Sequence, residues 1–548
     1  MKRVILWAPV LLVLVLALIL SSVPAGMSSV IVQAGDVETA VTAVQAHGGD
    51  VTSSLPIIHA VSAQIPTSHM AALQTDPLVQ HVYADGSVHT AGTLNGHPGN
   101  GTPESNFPEV VGANVAWENG FTGAGVAVAV VDTGISPFNW NNGRIIARFD
   151  AVDDGASSLD PYGHGTIMAS LIGNNLVDSN GYMGIAPEVD FVDVRVMGAD
   201  GTGTYTDILQ GLDWILANKD AYHIRVVNMS IIGGVEGPYW DNPLNQAVEA
   251  LWANGLVVLA SAGNGGPMPL TIATPGNDPF VITVGAFTDN FTPDDPSDDY
   301  VTDFSGAGPS EVGFIKPDVV LPGAHLTAMV RHKTVFGLNN FDNRLGGQFY
   351  QVAGTSTATA VASGVVALMM QANPNMSPNE AKYALTATAQ PAVYSDGSLV
   401  WSVFQQGAGR VWAPDAVLNP PVGAANGDML PGGQYVGPVV YRDGAFRIID
   451  ENGDDVADVD GYLWTGGYLW TGGYLWTGGY LWTGGYLWTG STDWQILSDT
   501  DLWQSGYSWI PMADSWPGGY LWTGGYLWTG GYLWTGGYLW TGLADTAD

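Results

Sequence analysis

Four short segments carry residue types able to do nucleophilic chemistry. An unbroken apolar run, Val126 to Val131, delivers Asp132 in Asp132-Thr133-Gly134. Paired-carboxylate hydrolysis also uses Asp-Thr-Gly, but it needs two acids sharing one proton, and no second triplet occurs. His164 stands between Gly163 and Gly165 at the head of a small and apolar helical stretch, so partners can approach it closely. Six of the ten histidines precede residue 100, and His223, His325 and His332 lack such a frame, which leaves His164 as the candidate base near neutral pH. Ser356, in Gly354-Thr355-Ser356-Thr357-Ala358, opens a helix rich in Ala, Val and Gly. Free N–H groups and the helix dipole favour developing negative charge there. Asn264 follows the run Leu256 to Leu259 in Ala260-Ser261-Ala262-Gly263-Asn264-Gly265. Its side-chain amide either donates to an oxyanion or only stabilises the turn. Each residue also has an ordinary reading, since strand-end Asp and helix-start Ser commonly cap backbone N–H groups. The pattern Gly-x-Ser-x-Gly is not matched around Ser356, which disfavours a nucleophile elbow.

The elements that must position these residues are legible as apolar runs. Val126–Val131, Phe191–Val196, Ile224–Met229, Leu256–Ala260 and Val281–Val284 are near-continuous in Val, Ile, Leu and Ala. Strands buried on both faces look like this, and helical stretches separate them, so an open parallel sheet covered by helices is expected. In such sheets, sites form at the carboxyl ends of strands.

The ordered set Asp132, His164, Asn264 and Ser356 resembles the subtilisin-like serine peptidases (subtilases), from about Val115 to Ala416. Gly184-Ile-Ala-Pro187 and Lys316-Pro-Asp318 belong to the same likeness. The resemblance implies a subtilisin-like α/β fold, Asp132, His164 and Ser356 as a catalytic triad, and Asn264 as the oxyanion donor. It further implies that a polypeptide substrate adds as a strand along Ser230, Ile231, Ile232 and Gly233, beside Ala262 and Gly263. Where the family often has Ser-Leu-Gly-Gly, this chain has Ser230-Ile231-Ile232-Gly233-Gly234, so either a residue is inserted or Ile232 replaces a cleft glycine. The segment Ser29–Val88, with apolar strand runs and one helical stretch, is similar to the family's I9-type inhibitory propeptide.

Organisation follows. Lys2 and Arg3, the apolar stretch Val4–Leu20, and small residues at Val23 and Ala25 read as a secretory signal peptide over 1–25. Then come a small α+β propeptide (26–90), a linker holding the maturation site (91–108), a catalytic domain (109–420), an acidic linker (421–460) and a β-rich hexapeptide-repeat tail (461–548). In the tail Gly-Tyr-Leu-Trp-Thr-Gly occurs five times from Gly461 to Gly490 and four times from Gly519 to Gly542. A meander with Gly-Gly turns, Thr opposite Tyr and Leu opposite Trp, is one reading; a hexapeptide solenoid is the other. The aromatic array makes either a structural stalk or a platform for a surface or glycan ligand.

Composition closes off other classes. Lys+Arg number 15 against 51 Asp+Glu, so there is no basic face for nucleic acid. Without cysteine there is no disulfide framework, thiolate site or Cys nucleophile. The chemistry needs no cofactor. Two acidic loops are candidates for structural Ca²⁺, with solvated surface as the competing reading. One is Asp294-Asp295-Pro-Ser-Asp298-Asp299 with Asp289 and Asp303 nearby; the other is Asp450, Asn452, Asp454 and Asp458. The expected function is thus a secreted, self-processing serine endopeptidase inhibited by its own propeptide. A surface adhesin using this domain for self-processing is the alternative.

Overall fold

The computed structural model describes residues 26–90 and 106–450 except 153, 156–158, 395–398, 428 and 443–444, with 453–454, 462–465, 485–488 and 507–509. The expected signal segment, residues 91–105 and most of the repeat tail lie outside the described residues. The chain divides into two compact units after Gly86.

In the first unit a four-stranded antiparallel sheet runs in the order Asp50–Leu55, Ala60–Pro66, Met27–Ala34, Val79–Ala84. One helix, Val37–Ala46, covers it with Ala40, Ala43 and Val44, spaced to share one face. Asp36 starts that helix by accepting the Thr39 N–H at 2.8 Å, a cap worth about 1 kcal/mol. The strand Asp50–Leu55 had no apolar signal in Asp-Val-Thr-Ser-Ser-Leu, because it is an edge strand with only Leu55 buried.

The second unit is built on an eight-stranded sheet. Its order is Tyr300–Val301, Ile282–Thr288, Val257–Ser261, Ile224–Met229, Ala127–Asp132, Asp190–Arg195, Ile145–Asp150, and Val319–Pro322 also pairs with Ile282–Thr288. All pairs are parallel except that of the short Tyr300–Val301 strand. The five apolar runs are therefore neighbours, and Ala127–Asp132, buried at every residue, lies among them. Two helices without a polar face, His164–Gly173 and Thr355–Ala372, pack against each other and against this sheet. Such helices belong in a core.

Beyond Leu418 the chain stays on the body. Residues 423–439, placed in the linker by the sequence reading, are held at several points. Ala425 N–H donates to the Asn379 carbonyl at 2.9 Å, Gly437 N–H to Val312 at 2.8 Å and Val439 N–H to Gly313 at 3.0 Å. Gly432 N–H donates to the buried Glu249 carboxyl, and the Tyr239 hydroxyl donates to Gly433 O at 3.0 Å. A hairpin, Val439–Arg442 with Ala445–Ile448, follows.

The tail strands that are described depart from the expected register. Tyr462–Thr465 pairs antiparallel with Gly485–Trp488, Tyr462 opposite Trp488 and Leu463 opposite Leu487. Among the described residues, the first repeat thus meets the fifth. Tyr507–Trp509, from the degenerate middle of the tail, pairs with Ala392–Tyr394 of the catalytic body.

Candidate active site

Three sequence-distant segments converge at the carboxyl end of the central strand. Asp132 ends the Ala127–Asp132 strand, His164 begins one buried helix, and Ser356 lies in the first turn of the other. His164 Nδ1 lies 2.9 Å from both carboxylate oxygens of Asp132, and His164 Nε2 lies 3.2 Å from Ser356 Oγ. Asp132 also accepts the Thr133 N–H at 2.7 Å, which fixes the carboxylate plane. With Nδ1–H donating to Asp132, Nε2 is the acceptor that faces the serine hydroxyl. All three side chains are at most 1% exposed.

Glycine makes this convergence sterically feasible. A Cβ on Gly165 would sit 2.2 Å from the Gly134 carbonyl, and one on Gly134, at φ +111°, would sit 2.0 Å from the Leu159 carbonyl. The Asp132 and His164 loops therefore touch backbone to backbone, which only glycine permits.

Asn264 is oriented as well. Its Oδ1 accepts both the backbone N–H and the hydroxyl of Thr355, each at 2.9 Å, so its Nδ2 end is directed away from Thr355. Gly263 at φ +98° makes the turn from the strand Val257–Ser261 to Asn264. The carbonyls of Ala262 and Gly263 accept N–H groups of Ala273 and Gly306 at 3.0 and 2.7 Å.

Ser230 is buried, and its hydroxyl donates to the Ser356 carbonyl at 2.9 Å. Ser230 Oγ in turn accepts Asn228 Nδ2 at 3.0 Å, and Ser363 donates to Asn228 Oδ1 at 3.0 Å. Ile231–Gly233 continues as a strand with no break in register, so Ile232 is not looped out as an insertion but occupies a regular pairing position. Its partner had no sequence signal. Ser87–Thr90 pairs antiparallel with Ile231–Gly233 on one side and with Thr202–Thr204 on the other. Thr90 lies opposite Ile231, His89 opposite Ile232, and Val88, fully buried, opposite Gly233. The Thr202–Thr204 and Ser87–Thr90 strands were missed because nothing in their composition distinguishes them from loop, and Thr355 was quoted only as a neighbour of Ser356, its hold on Asn264 not being legible.

The placement of side chains in the Asp289–Asp303 loop gives no support to the calcium expectation there. Asp298 accepts Asn290 Nδ2 and Thr292 Oγ1 at 3.1 and 2.6 Å, Asp295 is occupied by Ser297, and Asp299 pairs with Arg410 at 2.6 Å. These carboxylates point at internal donors, and among the described residues no group of three or more acidic or His side chains is placed to hold a metal. For the second loop, Asp454 N–H donates to Asp450 Oδ1 at 2.9 Å; Asn452 and Asp458 lie outside the described residues.

The subtilase family model matches residues 123–409, a span that contains Asp132, His164, Ser230, Asn264, Thr355 and Ser356. The chain belongs to the subtilase family. It is 39% identical over 270 residues to the serine protease AprX of Bacillus subtilis, a match covering 48% of this chain and 61% of that relative. It is 31% identical over 342 residues to the alkaline elastase YaB of a Bacillus strain, covering 62% of this chain and 76% of that one. Among solved structures, fervidolysin from Fervidobacterium pennivorans, a keratinolytic enzyme related to subtilisin, superposes with a TM-score of 0.59 at 21% identity, over 78% of this chain and 68% of that chain.

Proposed function

We propose that this subtilase is an exported serine endopeptidase that works through an acyl-enzyme and is made as a precursor that cuts itself. The observation that carries the proposal is the continuous hydrogen-bonded line Asp132–His164–Ser356. In this reading His164 Nε2 takes the Ser356 proton as Oγ attacks a peptide carbonyl, and Asp132 stabilises the resulting imidazolium. The amide of Asn264 and the Ser356 backbone N–H receive the oxyanion. The imidazolium then returns its proton to the leaving amine, and water hydrolyses the ester by the reverse sequence.

Substrate binds as a strand between Thr202–Thr204 and Ile231–Gly233, a mode supported by the chain's own Ser87–Thr90 segment, which already pairs with both. That segment closes the region 26–90 and runs into the stretch 91–105, so the maturation cut follows Thr90 closely. Thr90 is opposite Ile231, the neighbour of Ser230 whose hydroxyl touches the nucleophile's carbonyl. The bond cut is then Thr90–Ala91 or Ala91–Gly92, and the released 26–90 segment inhibits in trans. Export rests on the basic and apolar pattern of residues 2–25.

Hydrolysis of a chromogenic peptide tests the reading. Wild-type protein turns over; Ser356→Ala and His164→Ala each fall to background, and the double variant falls no further, because the residues act as a unit. Retained turnover in Ser356→Ala overturns it.

A further inference from the structure

Four residues before His164 stands Asp160, a fully buried carboxyl that touches neither the nucleophile nor the imidazole through any hydrogen bond described above. Its two oxygens gather donors from both sides of the site. Oδ1 accepts the Thr133 hydroxyl at 2.8 Å and the Gly163 N–H at 2.7 Å. Oδ2 accepts the Thr166 N–H at 3.0 Å and also the Thr166 hydroxyl. Thr133 is the residue after Asp132; Gly163 and Thr166 flank His164 in the first helical turn.

The two threonines extend the tie. Thr133 Oγ1, while donating to Asp160, accepts the Gly165 N–H at 2.9 Å. Thr166 Oγ1, while donating to Asp160, accepts the Ser136 N–H at 2.9 Å, in the loop leaving the Asp132 strand. Three residues thus form a closed set in which every bond crosses between the Asp132 loop and the His164 turn or locks one of them. Gly163, Gly165 and Thr166 N–H groups belong to the start of a helix, where no intrahelical partner exists. A carboxyl capping that helix is ordinary; one that also holds the strand end bearing the partner of its first residue is not.

We propose that Asp160, through Thr133 and Thr166, is a positioning residue that fixes the separation and angle of Asp132 and His164, and hence aims His164 Nε2 at Ser356. This rests on the acyl-enzyme reading above. Asp160 makes no contact with substrate in that scheme. Its effect falls on the proton transfers, which demand sub-ångström placement, and not on substrate pairing, which takes place on the Thr202–Thr204 and Ile231–Gly233 strands. Burial raises the Asp160 pKa above the usual carboxylate value, opposed by the hydrogen bonds from Thr166, Gly163 and Thr133.

The test is steady-state kinetics on a short chromogenic peptide, normalised to active sites counted by exhaustive labelling with a serine-directed phosphonate. Precursors that fail to mature are trimmed in trans by wild-type enzyme. Asp160→Asn is isosteric but replaces one acceptor oxygen with an amide group that meets two donors. It is expected to lower kcat tenfold or more, with KM within twofold. Thr133→Val, which removes the bridging hydroxyl while leaving the Asp160 carboxyl and its bonds to Gly163 and Thr166 in place, should do the same, and Thr133→Ser, which restores the hydroxyl, should recover most of the loss. A purely structural role would lower the count of labelled sites and leave kcat per site unchanged. If Asp160→Asn and Thr133→Val keep kcat per labelled site within twofold of wild type, or if only KM moves, the inference is overturned. A wild-type chain that is neither labelled nor active overturns the peptidase reading together with it. A labelled, active wild type with unaffected variants overturns this inference alone.

Discussion

Thr355 holds Asn264 with two donors at once, its N–H and its hydroxyl both reaching Asn264 Oδ1 at 2.9 Å. In the proposed mechanism this pair of bonds orients the amide that receives the oxyanion. Asn264→Ala is expected to lower kcat by about 10²–10³-fold with little change in KM, as for loss of one oxyanion donor. Thr355→Val, which keeps the backbone donor and loses the hydroxyl, should cost less, about tenfold. A rise in KM at constant kcat in Asn264→Ala would assign the residue to substrate binding instead.

Maturation offers a second check. Ser87–Thr90 pairs with Ile231–Gly233, and on the proposed reading the new N-terminus of the processed enzyme is expected at Ala91 or Gly92. N-terminal sequencing of protein expressed in a protease-deficient host reads it directly, and Ser356→Ala should remain uncut. An N-terminus near Asn106, or trimming of the serine variant, would detach Ser87–Thr90 from the reaction.

A third prediction concerns pH and the C-terminal strap. Burial pushes the Glu249 carboxyl up to about 9, helped by repulsion from Asp278, which is itself pushed up by burial to about 7. The folded state therefore binds these protons more tightly than the unfolded chain, and their stabilising contribution declines as pH rises from about 4.5 towards 9. Lys382, pushed down to about 7 by burial despite its pairing with Asp318, works in the opposite sense between pH 7 and its unfolded value. Glu249→Gln isolates the first effect, since the amide oxygen still accepts the Gly432 N–H. Its melting temperature should match wild type near pH 5 and exceed it by about 2 °C or more at pH 9. Parallel melting curves across that range would show that Glu249 does not titrate with folding.

Removal of the repeat tail is a fourth. Truncation before Gly461 deletes the Tyr507–Trp509 strand that pairs with Ala392–Tyr394, an edge next to the cluster of Phe287, Val320, Ala392, Val400 and Trp401. No residue of the candidate site is lost. Turnover of small peptides should stay within about threefold of the full chain, since surface contacts far from such sites carry little energy, while retention on cells or polysaccharide is lost. Abolished turnover would make the tail part of the catalytic fold.

The catalytic body was legible in the sequence where the physics is local. Buried parallel strands are continuous apolar runs, and four of the five were found within a residue of their ends, while Val281–Val284 marked only the start of the strand Ile282–Thr288. Asp132, His164, Asn264 and Ser356 stood out because glycines or a strand end frame each of them. The edge strand Asp50–Leu55 and the strand Ser87–Thr90 gave no such signal: one is half-exposed, and the other exists only because two distant strands pair with it. Asp160 was not singled out, because its tie to Thr133 depends on a chain crossing that spacing alone does not reveal. Residues 423–439 fell within the stretch read as an acidic linker, because backbone hydrogen bonds to Glu249, Asn379 and Val312 leave no mark on composition. In the acidic Asp289–Asp303 loop, composition did not show that Asp295, Asp298 and Asp299 are engaged by Ser297, Asn290, Thr292 and Arg410.

The central claim is that Ser356 is the nucleophile. Intact-mass and peptide-mapping mass spectrometry after treatment with a serine-directed phosphonate tests it most directly. One adduct per chain, mapping to the peptide that contains Ser356, formed by the wild type and absent in both Ser356→Ala and His164→Ala, is the predicted result. An adduct on any other residue, or equal labelling of the His164→Ala protein, would contradict it.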